Sequence, residues 1–247
     1  MSYVIIDTET TGLEDDAQVI QLAVLNPSGP DFNMRCKPSK KIMSSAIAVH
    51  GITNEVAADF PPKHRVKDAF DEYLQIRVPK NVIFVGQNIK FDVAKVQNSF
   101  NRPLSRLIDT KQMANRLIPY SEIGGYGLDA LFCYLYPERL DELFDMRNKH
   151  DAMVDCELTH KVYLGLVQLA VAEVDPGLSS AAAVKEWLDH PAYIHAWPFG
   201  RHAGKTIEWT LANDPNYIWW FENKCEDPDP DVQFTIDCAR RRGQGAK

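Results

Sequence analysis

Two carboxylic acids, Asp7 and Glu9, stand two residues apart directly after the apolar run at residues 3–6. That run predicts a buried strand, and alternate residues of a strand point to the same face with Cα atoms about 6–7 Å apart. Two carboxylates held this close repel each other unless they share a proton or bind a cation. A solvated strand end is the simpler interpretation, and the pair alone leaves these alternatives open.

A third carboxylic acid, Asp92, follows a strand predicted over residues 82–85. Asn88 is typical of a residue that caps the start of a helix, so Asp92 falls in the first helical turns. The N-terminal end of a helix favours the ionised form of a carboxyl group. Taken alone, Asp92 is therefore explained equally well by simple compensation of the helix dipole.

A histidine and two further acids lie close together near residue 150. Asp151 is suited to cap a long helix, which leaves His150 on the preceding loop and Asp155 about one turn into the helix. Both side chains can then point toward one site. The ordinary pKa of histidine suits a general base near neutral pH. A surface histidine beside a helix cap is the alternative interpretation.

The elements that must position these residues alternate between strands and helices. Apolar runs predict strands over residues 3–6, 19–25, 32–37 and 82–85. Helical patterns cover residues 44–50, 65–76, 92–100, 111–117, 128–136 and 152–172. Strands, then helices, then a further strand predict an α/β fold with a mixed sheet flanked by helices.

The residue composition of the sequence changes after residue 172. Turn-rich residues and a proline predict a linker at 173–191. Residues 192–247 hold four of the five tryptophans, which offer enough aromatic area for a compact core. We therefore predict a first domain at 1–172, followed by a small Trp-rich C-terminal module at 192–247.

The overall composition, 45% hydrophobic and 25% charged, excludes disordered and fibrous classes of protein. A formal net charge of −7 argues against a protein that holds duplex nucleic acid by bulk positive charge. Residues 76–120 nevertheless carry eight basic and two acidic residues, a local charge of +6. That interval suits a polyanionic substrate, unless its side chains point in several directions.

The cellular compartment is indicated by the cysteines and by the N-terminus. Five widely spaced cysteines without a C-x-x-C pair are typical of reduced, intracellular thiols and not of a zinc site. No apolar run approaches about 18 residues, and no basic region with an apolar signal core begins the chain. We therefore expect a cytoplasmic protein that does not enter a membrane.

Three motifs occur in a fixed order: D-x-E-T-T-G-L from residue 7, G-Q-N-x-x-F-D from residue 86 and H-D-A-M-V-D from residue 150. Together they resemble the motifs of the DnaQ-like, or DEDDh, 3′-to-5′ exonuclease family, over about residues 3–170. The resemblance implies a ribonuclease-H-like fold, two divalent metal ions and removal of nucleotides from 3′ ends. It also implies the metal ligands Asp7, Glu9, Asp92 and Asp155, and His150 as general base.

The ligand chemistry narrows the choice of metal. Carboxylate oxygens without thiolate partners suit Mg²⁺, with Mn²⁺ as a substitute, rather than zinc. Two such ions can clamp a scissile phosphate, lower the pKa of bound water and stabilise the leaving 3′-oxygen. They also remove the repulsion between Asp7 and Glu9, so part of the negative net charge is metal-binding charge. We expect two Mg²⁺ ions per site and nucleoside 5′-monophosphates as products.

The resemblance also implies contacts with the terminal nucleotides. Leu13 resembles the apolar residue that packs on the base, and His50 lies in a segment that resembles the one near the terminal nucleotide, although a core-filling turn explains that segment equally well. The residues expected to bind nucleic acid are Thr10, Thr11, Gly12, Leu13, His50, Asn88 and Phe91. Gln21 and Gln87 stand where many relatives have Glu and His, which affects the expected positioning of the substrate.

The C-terminal module carries its own motifs, F-G-R-H-A-G-K at residues 199–205 and D-P-N-Y-I-W-W at residues 214–220. They resemble the C-terminal region of an exodeoxyribonuclease of this family. Arg201 and Lys205 lie among glycines, where backbone amides can approach a phosphate. The module is therefore expected to hold substrate, with a purely structural role as the competing interpretation.

The leading hypothesis is a metal-dependent 3′-to-5′ exodeoxyribonuclease that acts on DNA 3′ ends in repair or turnover. The alternatives are an exoribonuclease, a proofreading subunit bound to a DNA polymerase, and an inactive nucleic-acid binder. Only the C-terminal motifs favour DNA over RNA. A folded module after residue 172 argues against a polymerase tether, and the presence of all five site residues argues against an inactive protein.

Overall fold

A single five-stranded sheet organises the chain, and the computed structural model describes residues 2–147 and 151–244. The sheet order is β3-β2-β1-β4-β5. Its strands are β1 (Tyr3–Thr10), β2 (Val19–Leu25), β3 (Phe32–Arg35), β4 (Ile83–Gly86) and β5 (Leu107–Asp109). The first three strands pair antiparallel, and β4 and β5 continue the sheet in parallel. The predicted mixed sheet is confirmed.

Helices cover both faces of this sheet. They are α1 (Ser44–His50), α2 (Asn54–Ala57), α3 (Lys63–Ile76), α4 (Ile89–Phe100), α5 (Thr110–Leu117), α6 (Tyr120–Ile123), α7 (Leu128–Leu135), α8 (Leu140–Arg147), α9 (Ala152–Glu173), α10 (Ala181–Asp189), α11 (Ile207–Asn213), α12 (Pro215–Lys224) and α13 (Pro230–Gln244). A short 3₁₀ helix, Pro137–Arg139, precedes α8. None of the helices within the described residues combines the length and apolarity needed to span a membrane.

The two faces of the sheet bury two separate cores, as the alternation of strand side chains requires. Ile5 and Val85 pack in one core with Val162 of α9. Val4 and Ile6 pack in the other core, with residues of α3 and α4. Odd-numbered residues of β1 therefore face α9, and even-numbered residues face α4. This alternation decides where the polar residues that end β1 are directed.

The C-terminal helices α11, α12 and α13 surround a small core of their own. Its largest buried side chains are Trp197 and Phe221. The interval 173–191, which we predict as a linker, contains α10, whose residues Val184 and Leu188 belong to the α9-side core. The bounds of the two domains stay a prediction.

The four C-terminal tryptophans contribute unequally to this core. Trp197 is buried, whereas Trp209, Trp219 and Trp220 are exposed. Short helices around one small core bury one side each, so aromatic residues on their outer sides remain in contact with solvent. The module therefore presents aromatic surface that its own fold does not use.

Candidate active site

Three carboxylates from two elements meet at the end of β1. Asp7 and Glu9 face α9, and Asp155 lies in the first turn of that helix. One carboxylate oxygen from each of these residues lies within 4.8 Å of the others. Asp151 caps α9 as predicted, because its carboxylate accepts a hydrogen bond of 3.0 Å from the Met153 N–H. The cap fixes the start of α9 and with it the position of Asp155.

Asp92 approaches from the other side of β1. It is 4% exposed and lies in the first turn of α4. Its Oδ1 accepts hydrogen bonds from the Thr8 N–H at 3.0 Å and from the Thr8 hydroxyl at 2.6 Å. Burial raises the pKa of Asp92 to about 7, the charge of Asp109 acts in the same direction, and the bonds from Thr8 oppose the rise. A cation beside Asp92 would stabilise its charged form.

Thr8 is a site residue that the motif comparison missed, although strand geometry offers a signal for it. Asp7 and Glu9 point to one face of β1, so the residue between them must point to the opposite face. That face is covered by α4, and Asp92 lies in the first turn of that helix. Thr8 therefore connects β1, which carries Asp7 and Glu9, to Asp92 of α4 through its hydroxyl and its backbone N–H.

The pKa of the buried Cys156 thiol reflects the charges of nearby carboxylates. Burial is the main cause that raises the pKa of Cys156 well above its usual value, and the charges of Asp7, Asp92 and Asp155 raise it further. Its Sγ lies 3.8 Å from the Ile5 carbonyl oxygen. The thiol is therefore protonated at neutral pH and offers no thiolate ligand.

The donor set fits a hard divalent cation. Asp7, Glu9 and Asp155 each place a carboxylate oxygen within 4.8 Å of the other two, whereas Asp92, buried and with a raised pKa, is not part of that cluster. Oxygen ligands of this kind suit Mg²⁺ or Mn²⁺. These residues are the ones that can hold such an ion, and zinc is less well matched because the cluster of Asp7, Glu9 and Asp155 offers only carboxylate oxygens, without the thiolate or imidazole ligands that zinc prefers.

The loop after β1 presents one exposed apolar side chain. Leu13 is 82% exposed. The Thr10 hydroxyl donates to the Gly12 carbonyl oxygen at 2.7 Å, and the Thr11 hydroxyl accepts from the Gln18 N–H at 2.9 Å. Both hydroxyls therefore shape the loop, and Leu13 is left on its surface.

A buried lysine fastens this loop to α4. Lys95 is 3% exposed, and its ammonium group donates to the carbonyl oxygens of Leu13 and Glu14. The same ammonium lies 4.9 Å from the centre of the Phe91 ring. Phe91 and the loop around Leu13 are thus connected through Lys95, although contact of either with nucleic acid stays a prediction.

His50 and Asn88, which are also expected to contact substrate, are both held by hydrogen bonds within the fold. His50 ends α1 and is buried, and its Nδ1 accepts from the Ile52 N–H at 3.0 Å. Asn88 occupies the predicted N-cap position of α4, but its side chain makes no capping bond because its backbone is left-handed, with φ 56°. Its N–H donates instead to Asp109 at 3.0 Å.

The two glutamines that depart from the family pattern are held inside the fold. Gln87 donates to the Tyr126 carbonyl oxygen at 2.7 Å and accepts from the Thr110 hydroxyl. Gln21 lies opposite Glu9 across β1 and β2 and donates to Asn33 at 3.0 Å. His150 lies outside the described residues, so its role as general base rests on the sequence motif.

The basic interval over residues 76–120 does not form one surface. Lys95 and Arg116 are buried, and Arg102 forms an ion pair with Asp71. Lys95 and Arg116 thus serve internal contacts, and Asp71 offsets the charge of Arg102, none of which a count of charges along the sequence reveals. The expected basic track is therefore smaller than its charge of +6 suggests.

Known proteins are similar to this chain both in sequence and in fold. A model of the exonuclease family RNase_T matches residues 4–163. DNA polymerase III subunit epsilon of Buchnera aphidicola subsp. Acyrthosiphon pisum is 31% identical over 180 residues, 65% of this chain and 70% of that protein. Exodeoxyribonuclease 10 of Escherichia coli K12 is 24% identical over 241 residues, 94% of this chain and 96% of that protein.

The nuclease domain of 3′hExo, described as a DEDDh family member bound to rAMP, has the same fold. The structures superpose with a TM-score of 0.52 at 16% identity, over 67% of this chain and 91% of that domain. This likeness confirms the predicted ribonuclease-H-like fold. The predicted kinship with DnaQ-like exonucleases, and with an exodeoxyribonuclease of this family, is confirmed as well. The chain belongs to the RNase_T exonuclease family and is a divalent-metal-dependent 3′-to-5′ exonuclease.

Proposed function

We propose that this protein is a two-metal 3′-to-5′ exodeoxyribonuclease that releases nucleoside 5′-monophosphates from DNA 3′ ends, in DNA repair or turnover. The observation that carries the chemistry is the cluster of Asp7, Glu9 and Asp155, with oxygens within 4.8 Å of one another. The preference for DNA is supported by the alignment with exodeoxyribonuclease 10, which spans 94% of this chain, including the C-terminal module.

In this proposal, Asp7, Glu9, Asp92 and Asp155 hold two Mg²⁺ ions, with Mn²⁺ able to substitute. The ions, when bound, supply charge that stabilises the scissile phosphate and the leaving 3′-oxygen. Thr8 keeps the Asp92 carboxylate in place through two hydrogen bonds. The exposed Leu13 packs on the terminal base, and Lys95 holds the loop that presents it.

His150 is proposed to take the proton from the attacking water. It stands directly before Asp151, which caps α9 four residues ahead of Asp155. A neutral imidazole accepts a proton, whereas a protonated one does not. The rate should therefore be full above the pKa of His150 and fall as the pH drops below it.

Replacing His150 with Ala is expected to lower kcat by roughly 10²–10⁴-fold, the usual contribution of a general base. Wild-type kcat should fall below about pH 6.5, and the variant should lose this dependence while keeping its affinity for metal. Steady-state rates from pH 5 to 8 and calorimetric titration with Mn²⁺ measure both. His64→Ala, at an exposed histidine of α3, is the matched control. A wild-type rate that is independent of pH over this range would reject the assignment.

Two alternatives have specific support. The chain is 31% identical to a DNA polymerase III epsilon subunit, which favours a proofreading role, yet that match covers only 65% of this chain. The DEDDh domain of 3′hExo is described with bound rAMP, which favours RNA as substrate. Co-purification with a polymerase would favour the first alternative over a free-standing enzyme.

The rates of label release from matched 3′-labelled DNA and RNA oligomers show which nucleic acid is the substrate. We expect faster release of label from DNA in Mg²⁺ and loss of release in EDTA. The Asp7→Asn variant, purified in parallel, controls for contaminating nucleases. Faster release from RNA would make this protein an exoribonuclease instead.

A further inference from the structure

A cleft of about 310 Å³ lies where α6 meets the C-terminal module. Tyr120 of α6 forms one part of its lining, and Tyr193, His195, Lys205 and Trp209 form much of the rest. None of these residues belongs to the acidic cluster, so the exonuclease site leaves the cleft unexplained. Its size is near the lower limit for small-ligand sites, about 300 Å³.

Trp209 gives the cleft an exposed aromatic surface. The residue is 41% exposed, and its ring contacts the edge of His202 with the ring centres 5.5 Å apart. The Lys205 ammonium lies 5.3 Å from the centre of the Trp209 ring. Within residues 2–147 and 151–244, Lys205 forms no ion pair that would neutralise its charge. An aromatic ring and an available cation therefore stand side by side.

The other rings of the lining add to this aromatic character. Tyr193 and His195 contact each other edge to face, with ring centres 5.9 Å apart. Burial lowers the pKa of His195, so its ring is neutral near pH 7, and Lys205 is the cation of this lining. Aromatic side chains with an adjacent cation are the combination that binds unpaired nucleobases and their phosphates.

The charge of its lining distinguishes this cleft from a larger one. A second cleft, of about 410 Å³, is lined by four carboxylates, Asp109, Asp227, Asp229 and Asp231, against two cations, Lys90 and Lys111, so its lining carries an excess of negative charge. The cleft at Trp209 has Lys205 in its lining and no carboxylate. Charge complementarity therefore favours a polyanion at Trp209 and disfavours one at the larger cleft.

We propose that the cleft between α6 and the C-terminal module binds a nucleotide of an unpaired DNA strand, with the base stacked on Trp209 and a phosphate beside Lys205. The inference rests on the proposed function, because the strand it holds is the exonuclease substrate. A base paired in a duplex has no free face, so the cleft selects single-stranded segments. The module thereby gives the enzyme a second contact on long substrates.

The binding test uses the full chain in EDTA and a 5′-fluorescein oligothymidylate followed by fluorescence anisotropy. Trp209→Ala should weaken binding on the order of 10-fold, because one stacked base is lost. Trp209→Phe should recover part of the affinity. Lys205→Gln should also lower the slope of log Kd against log salt concentration by roughly 0.7, the value for one phosphate of a single strand. Trp219→Ala, at another exposed tryptophan of the module, is the matched control.

The second arm compares a long substrate with a minimal one. Hydrolysis of thymidine 5′-(p-nitrophenyl phosphate) requires only the acidic site, so Trp209→Ala should leave it unchanged while kcat/KM on the oligothymidylate falls about 10-fold. If the wild type hydrolyses neither substrate, the proposed function fails, and the anisotropy in EDTA still tests the cleft.

Unchanged oligothymidylate affinity in both Trp209→Ala and Lys205→Gln would overturn the inference. A loss of affinity confined to oligouridylate would replace DNA by RNA as occupant and overturn it as stated. A Trp209→Ala variant that changes the oligomeric state in size-exclusion chromatography, with oligothymidylate affinity intact, would assign the cleft to a second copy of this chain instead. Circular dichroism establishes that each variant remains folded.

Discussion

Replacing Asp7 with Asn is expected to lower turnover on DNA at least about 10³-fold, because Asp7 belongs to the acidic cluster proposed to hold the metal ions, whose charge would be worth several kcal/mol in the transition state. Asp7 shares its face of β1 with Glu9 and lies within 4.8 Å of the Asp155 carboxylate, oxygen to oxygen. Asn has nearly the same shape but carries no charge. The substitution should therefore weaken metal binding without unfolding the protein.

Calorimetric titration with Mn²⁺ separates this effect from misfolding. The Asp7→Asn variant should bind Mn²⁺ more weakly and lose the metal-induced rise in Tm. Its Tm in EDTA should be no lower than that of the wild type, because one of three crowded carboxylates is gone. Asp15→Asn, at an exposed acid on the adjacent loop, is the control and should keep its activity. Near-normal turnover by Asp7→Asn would refute the two-metal proposal.

The half of the site that lies on β1 was predictable from local rules. The alternation of a strand places Asp7 and Glu9 on one face, and this requires no knowledge of the rest of the fold. The same applies to Asp151, whose capping of α9 depends on the two residues that follow it. Strands β1, β2 and β4 and the long helix α9 were predicted within a few residues, because their apolar patterns are long or continuous.

What escaped prediction depends on contacts between distant segments. Strand β5 has three residues, too few for a periodic pattern, and it forms only because β4 offers a parallel edge. Lys95 was counted as a surface cation, yet the carbonyl oxygens that hold it inside belong to residues more than 80 positions earlier. The exposure of Trp209 likewise follows from how α11 packs, which its apolar character alone does not reveal.

A buried ion pair between Arg116 of α5 and Asp231 of α13 joins the C-terminal module to the exonuclease core. The side chains are 1% and 3% exposed, and the guanidinium donates to both carboxylate oxygens, at 2.9 and 2.7 Å. Arg116 also donates to the carbonyl oxygens of Trp187, Leu188 and His190 at the end of α10. One side chain thus connects α5, α10 and α13.

Asp231→Ala is therefore expected to destabilise the whole chain by about 3–5 kcal/mol, because it leaves the Arg116 guanidinium buried without its counter-charge. For a chain of this size that corresponds to a fall in Tm of about 10 °C, measured by calorimetry. The double variant Arg116→Leu/Asp231→Leu should recover part of the loss, since no charge remains buried. Glu222→Gln, which breaks the more exposed pair with Arg240, should cost about 1 kcal/mol or less. A Tm for Asp231→Ala within the range of this control would show that the pair does not hold the module in place.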